Sequence, residues 1–279
     1  MGVMPMPDPS LVRDCEVAEL AAVTSWNDAL PVSVTSTLGA GHRSLGGGLL
    51  VHASADVLMF NRVLGLGVSE PARETYLDQA IEHFQRTGAR RFMIPVAPGA
   101  PPESFVGWLE ARGFYRHNHW IRLARDLRDS IPERRTDLRV ANFGLERASE
   151  FGRMEAEAFG YPPELAEFSS SLVGRPGWNF FGAFDGDRLV SVGVMHVQGA
   201  AAWFGFASTR ARYRGRGAQS ALIAARLSAA HAAGCRWACV ETAADTAEKP
   251  NPSTHNLRQL GFRDAYERPN WVKVLREGC

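Results

Sequence analysis

Residues 209–222 read TRARYRGRGAQSAL, four arginines and two glycines within eleven positions, running into an alanine- and leucine-rich stretch. An apolar strand that stops at Thr209 and a helix that starts near Gly217 would leave backbone N–H groups without intrahelical partners, at the positive end of the helix dipole. Gly215 and Gly217 would let an anion approach where a Cβ would block it. Arg214 and Arg216 would add charge and forked donors. Such a turn suits phosphate, carried by a nucleic acid, a nucleotide or the pyrophosphate of a carrier such as coenzyme A. No Gly-Lys-Ser/Thr follows, which excludes a P-loop, and the G-x-G lacks the third glycine of a dinucleotide fingerprint. Arginine at every second position from Arg210 to Arg216 could track a nucleic-acid backbone. The chain as a whole, however, balances 31 Lys+Arg against 30 Asp+Glu, and bulk electrostatic binding to nucleic acid calls for more.

A second group of residues could handle protons. Glu241 stands inside the apolar run CRWACVETA, and a carboxylate there requires either a structural hydrogen bond or a use as general base. Asp245, Ser253 and His255 are weaker candidates on the loop and helix that follow. Cys235 and Cys239 fall four apart on one side of a strand, which reads as core packing. With Cys15 and Cys279 they show no paired ligand spacing, so neither a metal site nor a disulfide framework is expected, and a cytoplasmic setting fits. No apolar run is long enough to span a bilayer, so no membrane partner is expected. The aromatic set Trp178, Phe180, Phe181, Trp203, Phe204 and Phe206 is expected in the core, with room for one member to line a substrate pocket.

The elements that must position these groups follow from pattern. The chain of 279 residues is long for one compact domain, and 126–136, DLRDSIPERRT, reads as a linker. On its far side the periodicities predict a strand at 138–141, a helix over 145–159, strands at 179–184 and 188–197 joined through Asp185-Gly186, and a third strand at 201–208. A helix over about 217–233, a strand at 236–242 and a helix over about 253–260 complete it, with Gly234 and Gly261 as helix stops. The chain also repeats itself: AIEHFQRTGARRFMIPVA at 80–97 is similar to AARLSAAHAAGCRWACVETA at 224–243, and LEARGFYRHNHWIRLAR at 109–125 to LRQLGFRDAYERPNWVKVLR at 257–276. The paired glycines, Gly88 with Gly234 and Gly113 with Gly261, are offset by 146 and 148. Similar offsets imply a duplicated unit.

The strand ending at Thr209, Arg214-x-x-Gly217, and a helix with Leu222 and Ile223, followed by NPSTHNLRQLGF at 251–262, resemble the acetyl-CoA signature of the GNAT superfamily of N-acetyltransferases, in its bacterial tandem form. The resemblance implies an α+β chain of two units, each a mostly antiparallel twisted sheet flanked by helices, with a degenerate copy at 1–130 and a complete one at 131–279. It implies an acetyl-CoA-dependent N-acetyltransferase. The amides of Arg214, Gly215, Arg216, Gly217, Ala218 and Gln219 would hold the pyrophosphate, Ala207, Ser208 and Thr209 would pair with the pantetheine arm, and Asn256 would touch the cofactor. The oxyanion donor would be a backbone N–H near Thr209, and Glu241 the base. Two departures stand out: Gln219 replaces the usual Gly or Ala, and Leu257 occupies the position of the tyrosine that many members use as general acid. At 63–73, VLGLGVSEPAR, the first unit has Glu70 and Pro71 where the loop should be, so it is expected to shape the fold and groove. The acceptor would be a small-molecule or peptide amine, and the chain a monomer or homodimer. A non-catalytic acyl-CoA sensor is the competing reading, and a nucleic-acid binder a lesser one.

Overall fold

The computed structural model describes residues 7–160, 166–243 and 251–275. In chain order its elements are α1 (Pro9–Asp28), α2 (Val32–Leu38), β1 (Gly41–Leu45), β2 (Gly48–His52), β3 (Arg62–Leu64), α3 (Glu74–Arg86), β4 (Arg91–Pro95), α4 (Phe105–Ala111) and β5 (Tyr115–Asp126). After a stretch without helix or strand come β6 (Arg139–Asn142), α5 (Ala148–Phe159), α6 (Ala166–Ser170), β7 (Trp178–Asp185), β8 (Arg188–Gln198), β9 (Ala201–Thr209), α7 (Ala218–Ala232), β10 (Trp237–Ala243), α8 (Pro252–Gln259) and β11 (Arg263–Val274). Apart from β6, the second series repeats the first element for element. The glycines that betray the repeat, Gly88 and Gly234, Gly113 and Gly261, all sit just past a helix end at φ between +72° and +81°. That left-handed position is where a helix stop favours glycine. In the second series the short α6 escaped the sequence patterns.

Contacts divide the chain into two units. The first holds the described residues up to Asp28, Val32–Ile121 and those from Ala265 onward; the second holds Ala29–Pro31 and Arg122–Asp264. This differs from a division at 130/131, and strand pairing is the reason. In the first unit β1, β2 and β3 form an antiparallel run, β4 joins β3 in parallel, and β11 pairs antiparallel with β4 from Asn270↔Pro95 to Val274↔Arg91. Trp271 and Leu275 lie in the same core as Phe84, Phe92, Ile94 and Leu109, with Phe84 stacked on Phe92 at 4.2 Å. The final strand of the second repeat thus completes the first unit's sheet. Arg268 of β11 is 1% exposed and bonds two equally buried carboxylates of α1: Nη1 donates to Glu16 Oε2 at 2.7 Å, and the guanidinium also pairs with Glu19. Tyr266 Oη donates to the other Glu16 oxygen at 2.7 Å.

In the second unit β6, β7, β8 and β9 are antiparallel neighbours, β10 lies parallel to β9, and the last residues of β5, 122–126, lie beyond β10. Helix α7, with Leu222, Ile223 and Leu227 buried, packs on β7, β8 and β9, while α5, with Phe151 and Met154 buried, packs on β8 and β9. No described helix is long and apolar enough to cross a membrane.

Candidate functional site

The parallel register between β9 and β10 runs from Trp237↔Ala201 to Val240↔Phe204 and then stops, although β9 continues to Thr209 and β10 to Ala243. The end of β9 therefore splays from its neighbour. Two irregularities cause it. Phe206 has φ +45°, the one positive φ outside glycine among the described residues, a conformation that costs roughly 1–2 kcal/mol. The β8–β9 register also shifts between Val192 and Val194. Beneath that bulge lies Arg226 of α7, fully buried, its guanidinium 4.5 Å from the Phe204 ring centroid and donating to the Val194 carbonyl at 3.2 Å. A Cβ on Gly193 would come within 2.8 Å of Arg226 Cζ, so only glycine fits there. Burial away from any acid pushes the Arg226 pKa down to about 9.

The splay opens onto a cavity of ≈ 530 Å³. Ala207, Ser208, Thr209, Arg214, Gly215, Gly217, Ala218, Gln219 and Asn256, all singled out from the sequence, line it. Arg216 is the exception: its guanidinium is held by Asp137 and lies over the Tyr213 ring. The loop geometry explains why it is turned away. Gly215 and Gly217 have φ of +80° and +74°, and Thr136 Oγ1 donates to the Arg216 carbonyl at 2.8 Å. The Arg214 N–H is taken by the Ala211 carbonyl, so it is not among the open donors. The amides of 215–220, by contrast, have no backbone acceptor among the described residues. Five of the six amides expected to cradle an anion are open, with Ser220 as an unforeseen sixth donor.

Thr209 is oriented by the ladder. Arg210 N–H donates to the Val190 carbonyl at 2.9 Å, which makes 210/190 a hydrogen-bonded pair and leaves Thr209 opposite Ser191 in a non-bonded one. The Thr209 N–H consequently points away from β8, toward the side where β10 has departed. Gln219 accounts for its own irregular presence. Its Nε2 lies within 2.9 Å of the Val192 and Ser208 carbonyls and of Ser191 Oγ, and 3.2 Å from Thr209 Oγ1, filling the gap that the bulge opens. Gln219→Leu is therefore expected to lower unfolding stability by about 1–2 kcal/mol, read from the urea midpoint, because two buried carbonyls lose a shared donor.

Glu241 is drawn elsewhere. It does not line the cavity; its Oε2 faces Arg122 Nη2 at 3.4 Å, with the arginine wholly buried. The structure therefore supplies the structural partner that its burial required, and gives no support to a place beside a reacting amine. Leu257 is 3% exposed and packed inward. Ser253 lines the cavity, and Asn251 caps α8 by accepting from the Ser253 and Thr254 amides. His255 is exposed and bonds Gln259; Asp245 lies outside the described residues. Among those residues no group of three or more His, Cys, Asp or Glu could hold a metal ion. Of the aromatic set Trp178, Phe180, Phe181 and Phe204 are buried, whereas Trp203 and Phe206 are half-exposed, 6.0 Å apart.

The first unit's counterpart loop differs at two of the equivalent amides, since Pro71 has no N–H to offer and Ala72 is already engaged. The Ala72 amide is used by the Pro101 carbonyl at 2.9 Å, and Glu70 accepts from Tyr76 Oη at 3.0 Å.

Sequence reasoning passed over one acid. Glu155 of α5 is 0% exposed, and Ser208 Oγ donates to its Oε1 at 2.7 Å. Burial pushes its carboxyl up to about 7 against the smaller, lowering effect of that hydrogen bond. A signal was present: Glu155 lies four residues from both Phe151 and Phe159, on the apolar stripe of an amphipathic helix.

No protein-family model and no curated protein matches the chain. Solved structures do. A GCN5-related N-acetyltransferase from Kribbella flavida superposes with a TM-score of 0.62 at 13% identity, covering 93% of this chain and 95% of the other. One from Sphaerobacter thermophilus gives 0.60 at 17%, covering 98% and 96%. The chain has the GNAT N-acetyltransferase fold. A tandem GNAT protein from the clavulanic acid biosynthesis pathway gives 0.59 at 20% identity, covering 96% and 95%, so the match extends over both GNAT-like units. In this GNAT fold the splayed strand, the loop at 210–217 and α7 belong to the second unit.

Proposed function

We propose that the protein is an acetyl-CoA-dependent N-acetyltransferase whose second unit holds the cofactor. The observation that carries this reading is the single cavity wall made by a splayed strand end and a run of open amides at 215–220. Those amides and the positive end of α7 suit a pyrophosphate. The free edge of β9 at Ala207 to Thr209 suits the amide-bearing pantetheine arm as an added strand, and Asn256 closes the opposite wall. Acetyl-CoA, when bound, supplies a thioester carbonyl that an uncharged amine attacks directly. The Thr209 N–H, directed into the splay, is positioned to donate to the carbonyl oxygen as it gains charge.

Arg214→Glu tests the reading without straining a glycine. Titration calorimetry is expected to show acetyl-CoA binding by the unaltered protein and a loss of 10-fold or more in the variant, since a cation at the cavity wall is replaced by an anion. Absence of heat with the unaltered protein sinks the proposal. The buried Leu257 favours a second reading, a sensor that binds acyl-CoA without turnover. Thiol release across a panel of amines separates the two.

A further inference from the structure

The cavity wall has a proton-carrying group behind it. Ser208 lines the cavity, and its hydroxyl donates to Glu155, whose other oxygen, Oε2, is buried with no hydrogen-bond partner among the described residues. Ala158 and Phe159, three and four residues further along α5 and so on the same helix face, line the cavity themselves. A carboxyl wholly out of water with one oxygen unmatched carries an energetic cost that pure packing does not require. From this juxtaposition we propose that Glu155, acting through Ser208, receives the proton released by the attacking amine. The proposal rests on the acetyltransferase reading and names the proton path that it leaves open.

The amine nitrogen forms a bond to the thioester carbon while its proton passes to Ser208 Oγ and the Ser208 hydroxyl proton passes to Glu155 Oε1. The C–S bond then breaks with its electron pair on sulfur, which takes a proton from water. Glu155 returns its proton to water as the products leave. Ser208 touches the cavity; Glu155 is a positioning residue that acts through it. A carboxyl titrating near 7 is matched to this task at neutral pH. No neighbouring charge contributes to that value. The charged or titratable groups on the elements packed against α5 are Glu167 of α6, Arg188 and His196 of β8, and Glu146 and Arg147 of the 3-10 turn before it; β9 contributes none. On α5 itself Glu150 pairs with Arg147, Glu157 with Arg210, and Arg153 with Ser149.

Glu155→Gln tests the path, because glutamine keeps an oxygen for the Ser208 hydroxyl and so preserves a merely structural bond. With acetyl-CoA as donor and hydroxylamine, a small acceptor uncharged at neutral pH, thiol release by the unaltered protein is expected to rise with pH through a limb near 7. In E155Q and in Ser208→Ala, kcat is expected to fall about 100-fold at pH 8, the limb to vanish, and the calorimetric affinity for acetyl-CoA to remain within about 2-fold. An unchanged rate and pH profile in E155Q overturns the proposal. Acetyl-CoA binding without any thiol release by the unaltered protein overturns it too, leaving the cofactor reading intact. Absence of acetyl-CoA binding overturns the cofactor reading itself.

Discussion

Arg268→Met is expected to destabilise the first unit by about 3–5 kcal/mol, seen as a fall in the urea midpoint of its unfolding. The arginine pairs with two carboxylates, Glu16 and Glu19, each no more than 4% exposed. Removing it leaves two acids side by side out of water without that cation, while the Tyr266 hydroxyl still donates to Glu16. The arrangement is costly to break but adds little net stability, because burying three charges offsets most of their attraction. A four-fold replacement, Arg268→Met with Glu16→Leu, Glu19→Leu and Tyr266→Phe, is therefore expected to regain most of the loss, ending within about 1 kcal/mol of the unaltered protein. A single Arg268→Met variant that loses less than 1 kcal/mol shows that water reaches the cluster. The physical point is that α1 and β11, at opposite ends of the chain, are matched by charge as well as by apolar surface.

Glu155→Gln carries the opposite sign. Burial raises the folded-state carboxyl from 4.5 to about 7, so the folded protein holds a proton that the unfolded chain releases between those values. The stability tied to this group is complete below pH 4.5 and is lost as pH rises through 7. Glutamine is neutral at every pH. It is expected to match the native protein near pH 4.5 and to exceed it at pH 8 by up to roughly 3 kcal/mol, a limit set by the size of the shift. Thermal melts at both pH values give the comparison. An equal difference at the two pH values shows that folding does not shift the Glu155 carboxyl. The stabilisation at pH 8, set beside the expected loss of turnover, is the trade-off characteristic of groups held in place for chemistry.

His196 acts in the acid range. Burial beside Trp178 lowers its pKa to about 4, so its contribution is complete above about 6.5 and is lost as pH falls toward 4.

The shape of the loop at 210–217 was legible because its determinants are local: a strand end, glycines with positive φ, and a helix start are written in adjacent residues. The repeat was legible for the same reason, through glycines fixed by left-handed helix stops. Two features escaped because they depend on partners far away in sequence. Glu241 and Arg122 lie 119 positions apart, and Ser208 and Glu155 lie 53 apart; a single acid in an apolar run announces the need for a partner without saying which one supplies it. Arg216, read as a phosphate ligand from its place in the loop, is claimed by Asp137, 79 positions away. The unit boundary failed to show for a similar reason. The equivalence of β5 and β11 is visible in their Gly-Phe starts, but pairing with β4 is a matter of topology, which composition does not record.

Because residues from Ala265 onward complete the sheet and core of the first unit, that unit is among the last parts of the molecule able to close. A ribosome making this chain delivers the whole of Arg122–Asp264 before the strand that β4 awaits. Throughout that interval β4 offers an unpaired edge and Phe92 and Ile94 an unfinished core, a surface open to mispairing. Translation order thus sets the folding order: the unit with the cavity can mature first, and the unit begun first must wait for its own last strand.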